Sequence, residues 1–559
     1  MNPSKKLRKL VAEGYQLTPE AFSFLNSLED VDSVIDRILS SGTLKLILSI
    51  DDIKDIIEKE EDIEVTVEID ELDKEKTKID EQEKKEVISP ASASEEVENE
   101  VEIEERQLPT KEERQLPTKE ERQLPTKEER QLPIKEEQKT SVRKEQVSSD
   151  LKVIYSPKVT QTVASAESFR QYFKNRFEVI NSYFSKRRDI KNRVLTSDLE
   201  PNKNRDNVSL VAIVTKIQNT RKGNIIIELE DLEGTVISLI HVSKPDLVQS
   251  SQFILEDSVL CFVGSWRNKL LNINEVLWPD IPYTHKPNYA YEEVLALHIS
   301  DIHVGSKNFA GKLFHKAINL INGTLQDEKY NKVGEKIKYL FVAGDVVDGI
   351  GVYPGQKDDL MLDNIQLQYH LATEYFDQIR KDVEIVIIPG NHDGARSAEP
   401  QTPIQKEFAQ NLFELDNVHL LGSPCYLKAH NVEIMLNHGN SILDINAAIP
   451  AIPHETSIPA MREMLKNRHL VPIYGKRTPI APAPTDELII SRIPDIFHTG
   501  HTHIAGDDRY KGVLLLNSGT FQYQTSYQRS MNINPTTGLT YIVNLKNLER
   551  SKINFNEIN

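Results

Sequence analysis

Five short motifs in the second half of the 559-residue chain bring together side chains able to do chemistry. They are D-I-H (Asp301, His303), G-D (Asp345), G-N-H-D (Asn391, His392, Asp393), N-H-G (His438) and G-H-T-H (His501, His503). Mixed carboxylate, amide and imidazole donors suit borderline divalent ions such as Mn, Fe or Zn, and a carboxylate can bridge two of them. Two ions roughly 3.5–4 Å apart clamp a phosphate, lower the pKa of a water between them and stabilise an in-line displacement. The chemistry implied is metal-assisted phosphodiester hydrolysis.

Such ligands need a scaffold that brings distant segments to one place. Each motif lies at or just beyond an apolar run: V-L-A-L-H-I-S, K-Y-L-F-V-A, E-I-V-I-I-P, E-I-M-L and P-D-I-F-H-T. Read as strands of an α/β sheet, these runs deliver all five motifs to one rim, where open α/β sheets place their sites. Taken singly, G-D and H-G are turn chemistry and a lone histidine is usually a hydrogen-bonded structural residue. The weight rests on their concert and order. His298, His315, His370, His419, His430, His454 and His498 have no such spacing and are expected to be structural.

The formal net charge of −18 argues at first against a polyanionic partner. Residues 51–150 hold 34 acidic and 18 basic side chains, so most of that charge sits in one stretch. The remainder is nearly neutral and can present a local basic groove. From Glu104 the acidic stretch repeats E-E-R-Q-L-P-T-K with period eight, placing Pro109, Pro117, Pro125 and Pro133 in register. A proline every eight residues breaks any helix, and one leucine per repeat cannot form a core. Residues 59–153 therefore read as a disordered acidic linker, with a reach of roughly 50–60 Å for about a hundred residues. Residues 1–58 read as a small helical domain, with Thr18 as N-cap, Pro19 at the first helical position and apolar residues three to four apart downstream.

After the linker, residues 154–205 form a helical lead-in whose stripe Phe169, Tyr172, Phe173, Phe177, Ile180 and Phe184 is a packing face. Residues 206–283 carry five short strand patterns that suit an OB-type β-barrel, although Phe262, Trp266 and Trp278 are too few for a base-stacking groove. Residues 284–559 hold the ligand motifs. No run of 18 apolar residues occurs and the N-terminus M-N-P-S-K-K-L-R-K-L lacks a secretory core, which predicts an intracellular, cytoplasmic protein without a membrane partner. Cys261 and Cys425, each alone among apolar neighbours, are expected to be reduced packing residues.

The ordered set D-x-H, G-D, G-N-H-D, H-G and G-H-x-H resembles the calcineurin-like metallophosphoesterases. That resemblance implies a two-sheet α/β domain in which Asp301, His303 and His503 hold one ion, Asn391, His438 and His501 a second, and Asp345 bridges both. It also implies that His392 stands over the phosphate as general acid or charge partner, with Asp393 orienting its ring. The order of helical piece, acidic tether, barrel and phosphoesterase resembles one family more closely, the small subunits of archaeal D-family DNA polymerases. G-N-H-D-G-A-R-S-A-E-P-Q at 390–401 and R-H-L-V-P-I-Y-G-K-R-T-P-I-A-P at 468–482 add to that likeness. It implies a 3′–5′ exonuclease acting on DNA 3′ ends with two divalent ions, Mn first, with Mg, Fe or Zn as alternatives. A large catalytic polymerase subunit is the implied partner, with the sliding clamp reached through the complex. The related small subunits of eukaryotic replicative polymerases have lost metal ligands, whereas here every position is filled. A stand-alone repair nuclease or phosphatase and a catalytically silent scaffold are the alternatives. Arg396, Arg468, His469, Lys476 and Arg477, close to the motifs, are expected DNA-backbone contacts.

Overall fold

The computed structural model describes residues 148–158 and 164–558, together with isolated positions between 16 and 54. In the unit Met1–Glu145, Gln16–Leu17 pairs in parallel with Ile47–Leu48, and helical positions include the buried residues Leu25, Val34, Ile35, Ile38 and Ile53. Most of the expected helical domain, and all of the expected linker up to residue 147, lie outside the described residues.

The second unit, Gln146–Asn559, is built on two six-stranded sheets and a barrel. In the first sheet the strands Val418–Leu420, Glu384–Ile388, Ile337–Ala343 and Leu295–Ile299 run parallel in that order, and Leu539–Asn544 and Glu549–Asn554 extend it antiparallel. Leu295–Ile299 and Ile337–Ala343 are buried along their whole length, as central parallel strands covered on both faces must be. Their side chains alternate accordingly. Leu297, Ile299, Leu340 and Val342 pack outward on the helices Gly311–Asn322 and Ile365–Asp377, while Ala296, Tyr339 and Phe341 face the second sheet.

The second sheet orders Gly506–Tyr510, Val513–Asn517, Ile496–Thr499, Val432–Leu436, Cys425–Ala429 and Leu151–Tyr155. Its inner residues Ile434, Leu436, Leu514 and Leu516 meet the first sheet, and its outer Met435, Phe497 and Leu515 pack on the helices Ile442–Ala448 and Ser457–Asn467. The layering is helix, sheet, sheet, helix. One edge differs from expectation: Leu151–Tyr155, at the end of the stretch read as linker and the start of the lead-in, is the antiparallel edge strand beside Cys425–Ala429. Both cysteines are free and buried, and burial pushes the Cys261 thiol up to about 12.

The five expected barrel strands are present at Arg205–Asn219, Ile225–Glu230, Thr235–Ile240, Val259–Arg267 and Leu270–Leu277. They close through the pairing of Arg205–Asn219 with Val259–Arg267 around Leu210, Ile227, Leu260, Phe262 and Ile273. The helix Ala166–Ser185, started by a capping box at Ser165, braces the barrel against the double sheet. Phe177, Ile180 and Phe184 lie on Val211, Val259 and Cys261 of the barrel exterior, while Tyr172 enters the core beneath the second sheet. One turn further along, the fully buried Arg176 pairs with Asp486 at 2.8 Å, and Tyr172 donates to the same carboxylate at 2.6 Å. Breaking such a pair strands a buried charge, so it fixes the brace in one register.

Candidate metal centre

The strand ends deliver the motif residues to one rim through turns that only certain residues tolerate. Asp301, His303, Asp345, His501 and His503 all have positive φ, between 52° and 70°. Non-glycine residues seldom adopt this region, and its concentration at one place marks a functional constraint. Glycine supplies the remaining room. A Cβ at Gly344, itself at φ +91°, would run into His438, and one at Gly390 into Asp345. The loops are stitched to one another by backbone: Asp301 donates to the Gly344 carbonyl at 2.9 Å, His303 to that of Asp345 at 3.1 Å, and Gly500 to that of His438 at 2.9 Å.

The side chains fall into two adjoining sets. In the first, the Nε2 atoms of His303 and His503 are 3.0 Å apart and His503 lies 3.4 Å from Asp301. In the second, the Asn391 amide oxygen is 2.9 Å from His501 and 3.1 Å from His438. Asp345 stands between them, its Oδ2 lying 3.4 Å from Nε2 of His438, 3.7 Å from that of His303 and 4.0 Å from that of His392. The ligand atoms of Asp301, His303, Asp345 and His503 all lie within 4.8 Å of one another.

The residues fit divalent ions on the chemistry of the donors. Nδ1 of His303 is held by Asp348 at 3.1 Å, that of His438 by the Ala343 carbonyl at 2.8 Å and that of His392 by the Asp348 carbonyl at 2.7 Å. With Nδ1 of His303 and His438 held by outward acceptors, their Nε2 atoms face inward toward the carboxylates, the arrangement that orients metal-binding imidazoles. Burial opposes ionisation of Asp345, but the imidazoles of His438, His392 and His303 outweigh it and hold the carboxyl well below its usual range. Burial would likewise lower His438, and the Asp345 carboxylate reverses this and raises it to about 10. His501, desolvated and beside His438, is pushed down to about 3. Two buried carboxylates ringed by imidazoles form a pocket for positive charge.

Some expected residues stand elsewhere. Asp393 does not orient His392: its carboxylate accepts from Gly390 and Val346 backbone at 2.9 and 3.2 Å and from Tyr369 at 2.8 Å, under the turn. Burial and the Asp345 charge push it up to about 6. Arg468 is buried, its guanidinium donating to the carbonyls of Ile490 and Ser491 and lying over the Tyr183 ring. His469 is buried against Asp486 at 2.8 Å, in the cluster that anchors the bracing helix. Neither reaches a surface that DNA can touch. Arg396 is committed to the Pro400 carbonyl at 2.8 Å, whereas Lys476 and Arg477 are exposed. Asp348, which the motifs did not single out, aims both His303 and His392 and is itself held by Gln522 at 2.8 Å.

Residues 297–505 match the family of B subunits of the alpha and epsilon DNA polymerases. The chain is 38% identical to the DNA polymerase II small subunit of Methanothermobacter thermautotrophicus, over 67% of this chain and 76% of that one. It is 39% identical to that of Methanocaldococcus jannaschii, over 68% and 64%, and 37% identical to that of Archaeoglobus fulgidus, over 67% and 74%. The chain belongs to the family of archaeal DNA polymerase II small subunits, the D-family. Among the described residues no helix is long and apolar enough to cross a membrane.

Proposed function

We propose that this chain is the metal-dependent 3′–5′ exonuclease of a two-subunit DNA polymerase, removing nucleotides from DNA 3′ ends for a large catalytic partner. The observation that carries this reading is the placement of Asp345 between the two imidazole sets, with His392 alongside. Asp301, His303 and His503 would hold one divalent ion and Asn391, His438 and His501 another, with Asp345 shared; Mn is the first candidate, with Mg, Fe and Zn as alternatives, and such ions would supply phosphate charge neutralisation and an activated water.

The chain's own residues supply the rest. As the water oxygen bonds to phosphorus, the bond from phosphorus to the 3′-oxygen breaks and that oxygen needs a proton. His392, held through Nδ1 by the Asp348 carbonyl, presents Nε2 to deliver it. Lys476 and Arg477 remain as candidate backbone contacts. The barrel, of OB type in this reading, and the phosphoesterase surface form the dock for the large subunit. The sliding clamp is engaged through the complex.

The test is release of nucleotides from a mismatched 3′ end with Mn, in the presence of the large subunit. His392→Ala is expected to keep two ions and the partner while turnover falls ~10²–10⁴-fold. A wild-type rate in the variant removes His392 from the mechanism, and no metal-dependent release by the wild-type complex leaves a scaffold.

A further inference from the structure

Beside His392 lies a groove that the ligand loops do not need. It measures about 420 Å³ and is walled by Ile350, Tyr353, Gln356, Lys357 and Leu360. The segment that builds it reverses at Gly349, Gly351 and Gly355, all at positive φ. The groove is nonetheless fixed to the centre. Gln356 is buried; its Nε2 donates to the Asp348 carbonyl at 2.7 Å and its Oε1 accepts from Val352 at 2.8 Å. That carbonyl is the one that aims His392.

Tyr353 forms the side of the groove nearest the chemistry, its ring centroid 6.3 Å from that of His392. It also stacks on Tyr527 at 5.3 Å and 28°. The residue after Tyr527, Gln528, contacts His503 at 2.9 Å, so each tyrosine is tied to a different histidine of the centre. Tyr527 is 40% exposed and Ile350, which lines the groove, about half exposed, apolar surface left open beside a polar rim. The charges around it are mixed. Lys357 lines the groove, but so does Asp363, and Asp358 and Asp359 adjoin it. Such a surface is a poor seat for a phosphate and a good one for a neutral planar ring, since every base has a π-face that stacks on aromatic side chains.

We infer that Tyr353 and Tyr527 form a nucleobase platform that seats the terminal base of a single-stranded DNA 3′ end while its phosphate lies at the metal centre. This rests on the exonuclease reading above.

The test uses the full chain in complex with its large subunit and two single-stranded oligonucleotides, one with a normal 3′-terminal nucleotide and one with an abasic 3′ residue. Affinity is measured by anisotropy in EDTA and KM for release with Mn. Wild type is expected to prefer the base-bearing end roughly tenfold or more. Tyr527→Ala and Tyr353→Leu are expected to bring that ratio near one, and Tyr527→Phe to keep it. Equal use of both ends by wild type, or an unchanged ratio in Tyr527→Ala, overturns the platform. Base preference in EDTA without any release in Mn overturns the exonuclease and leaves the platform standing. Release without base preference does the reverse.

Discussion

Two histidine pairs lie on the same two strand-and-turn segments, and only one of them lies in the cluster of candidate ligands. His298 and His498 precede His303 and His503 by five residues each, and in both pairs the ring centroids are 4.8 Å apart. All four side chains are buried. In the lower pair, between the sheets, neither nitrogen of His298 has a hydrogen-bond partner and His498 has only Ser518, at 2.7 Å. Burial alone pushes His298 down to about 3, and the pair stays neutral. The upper pair differs in having Asp301, Asp345 and Asp348 within reach. Proximity and burial of imidazoles do not make a cation site; convergent carboxylates and acceptors that fix the tautomer do.

The strongest way to break this contrast is to remove the carboxylate that joins the two sets. Asp345→Ala is expected to lose both ions by elemental analysis and to lower 3′ release by roughly 10³-fold or more, whereas His303→Ala or His438→Ala weakens chiefly one ion. Retention of two ions by Asp345→Ala at wild-type affinity would refute the bridge. Asp348→Asn tests the orienting acceptor alone. It is expected to weaken Mn binding ~10–100-fold in a calorimetric titration, with the ligand set intact.

A smaller effect concerns a buried acid without an ion pair. Glu399 accepts a side-chain hydrogen bond from Asn440 at 2.7 Å, its second oxygen has no partner, and burial pushes it up to about 7. A carboxyl raised from its ordinary 4.5 leaves stability untouched below pH 4.5, removes it as pH rises to 7, and keeps it lost above. Glu399→Gln should therefore match the unfolding free energy of wild type at pH 4 and exceed it at pH 8 by roughly 3 kcal/mol. Equal melting at both pH values would show that the acid has found a partner. The smallest change is expected at the lower histidine pair: His298→Leu should keep both ions and stay within about 1 kcal/mol of wild type in denaturant unfolding, since no hydrogen bond is lost. Loss of an ion there would erase the distinction between the pairs.

The convergence of the motif residues was legible because each follows an apolar run, and strand ends on one rim come together whatever the loops between them do. The barrel was legible from five short alternating segments. Asp393 misled because neighbours in sequence are not neighbours in space: its carboxylate points under the turn that lifts His392. Arg468 and His469 misled because charge near a motif reveals nothing of burial, and their partners Ile490 and Asp486 are set by tertiary packing. Asp348, three residues past Asp345, belongs to none of the motifs, and its contacts with His303, His392 and Gln522 are set by tertiary packing. The strand Leu151–Tyr155 was hidden by its acidic neighbourhood, since its partner Cys425–Ala429 is far away in the chain.

The positive φ angles at Asp301, His303, Asp345, His501 and His503 also shape how this centre can decay. Glycine enters that backbone region freely, and asparagine, aspartate and histidine more readily than other side chains, whereas β-branched or bulky residues meet a steric penalty whether or not an ion is ever bound. Random substitution at these five positions is thus filtered by the turns before it is filtered by activity. A descendant that abandoned hydrolysis but kept the fold would drift toward asparagine and glycine here, leaving a fossil of the rim in its backbone after the ligands were gone.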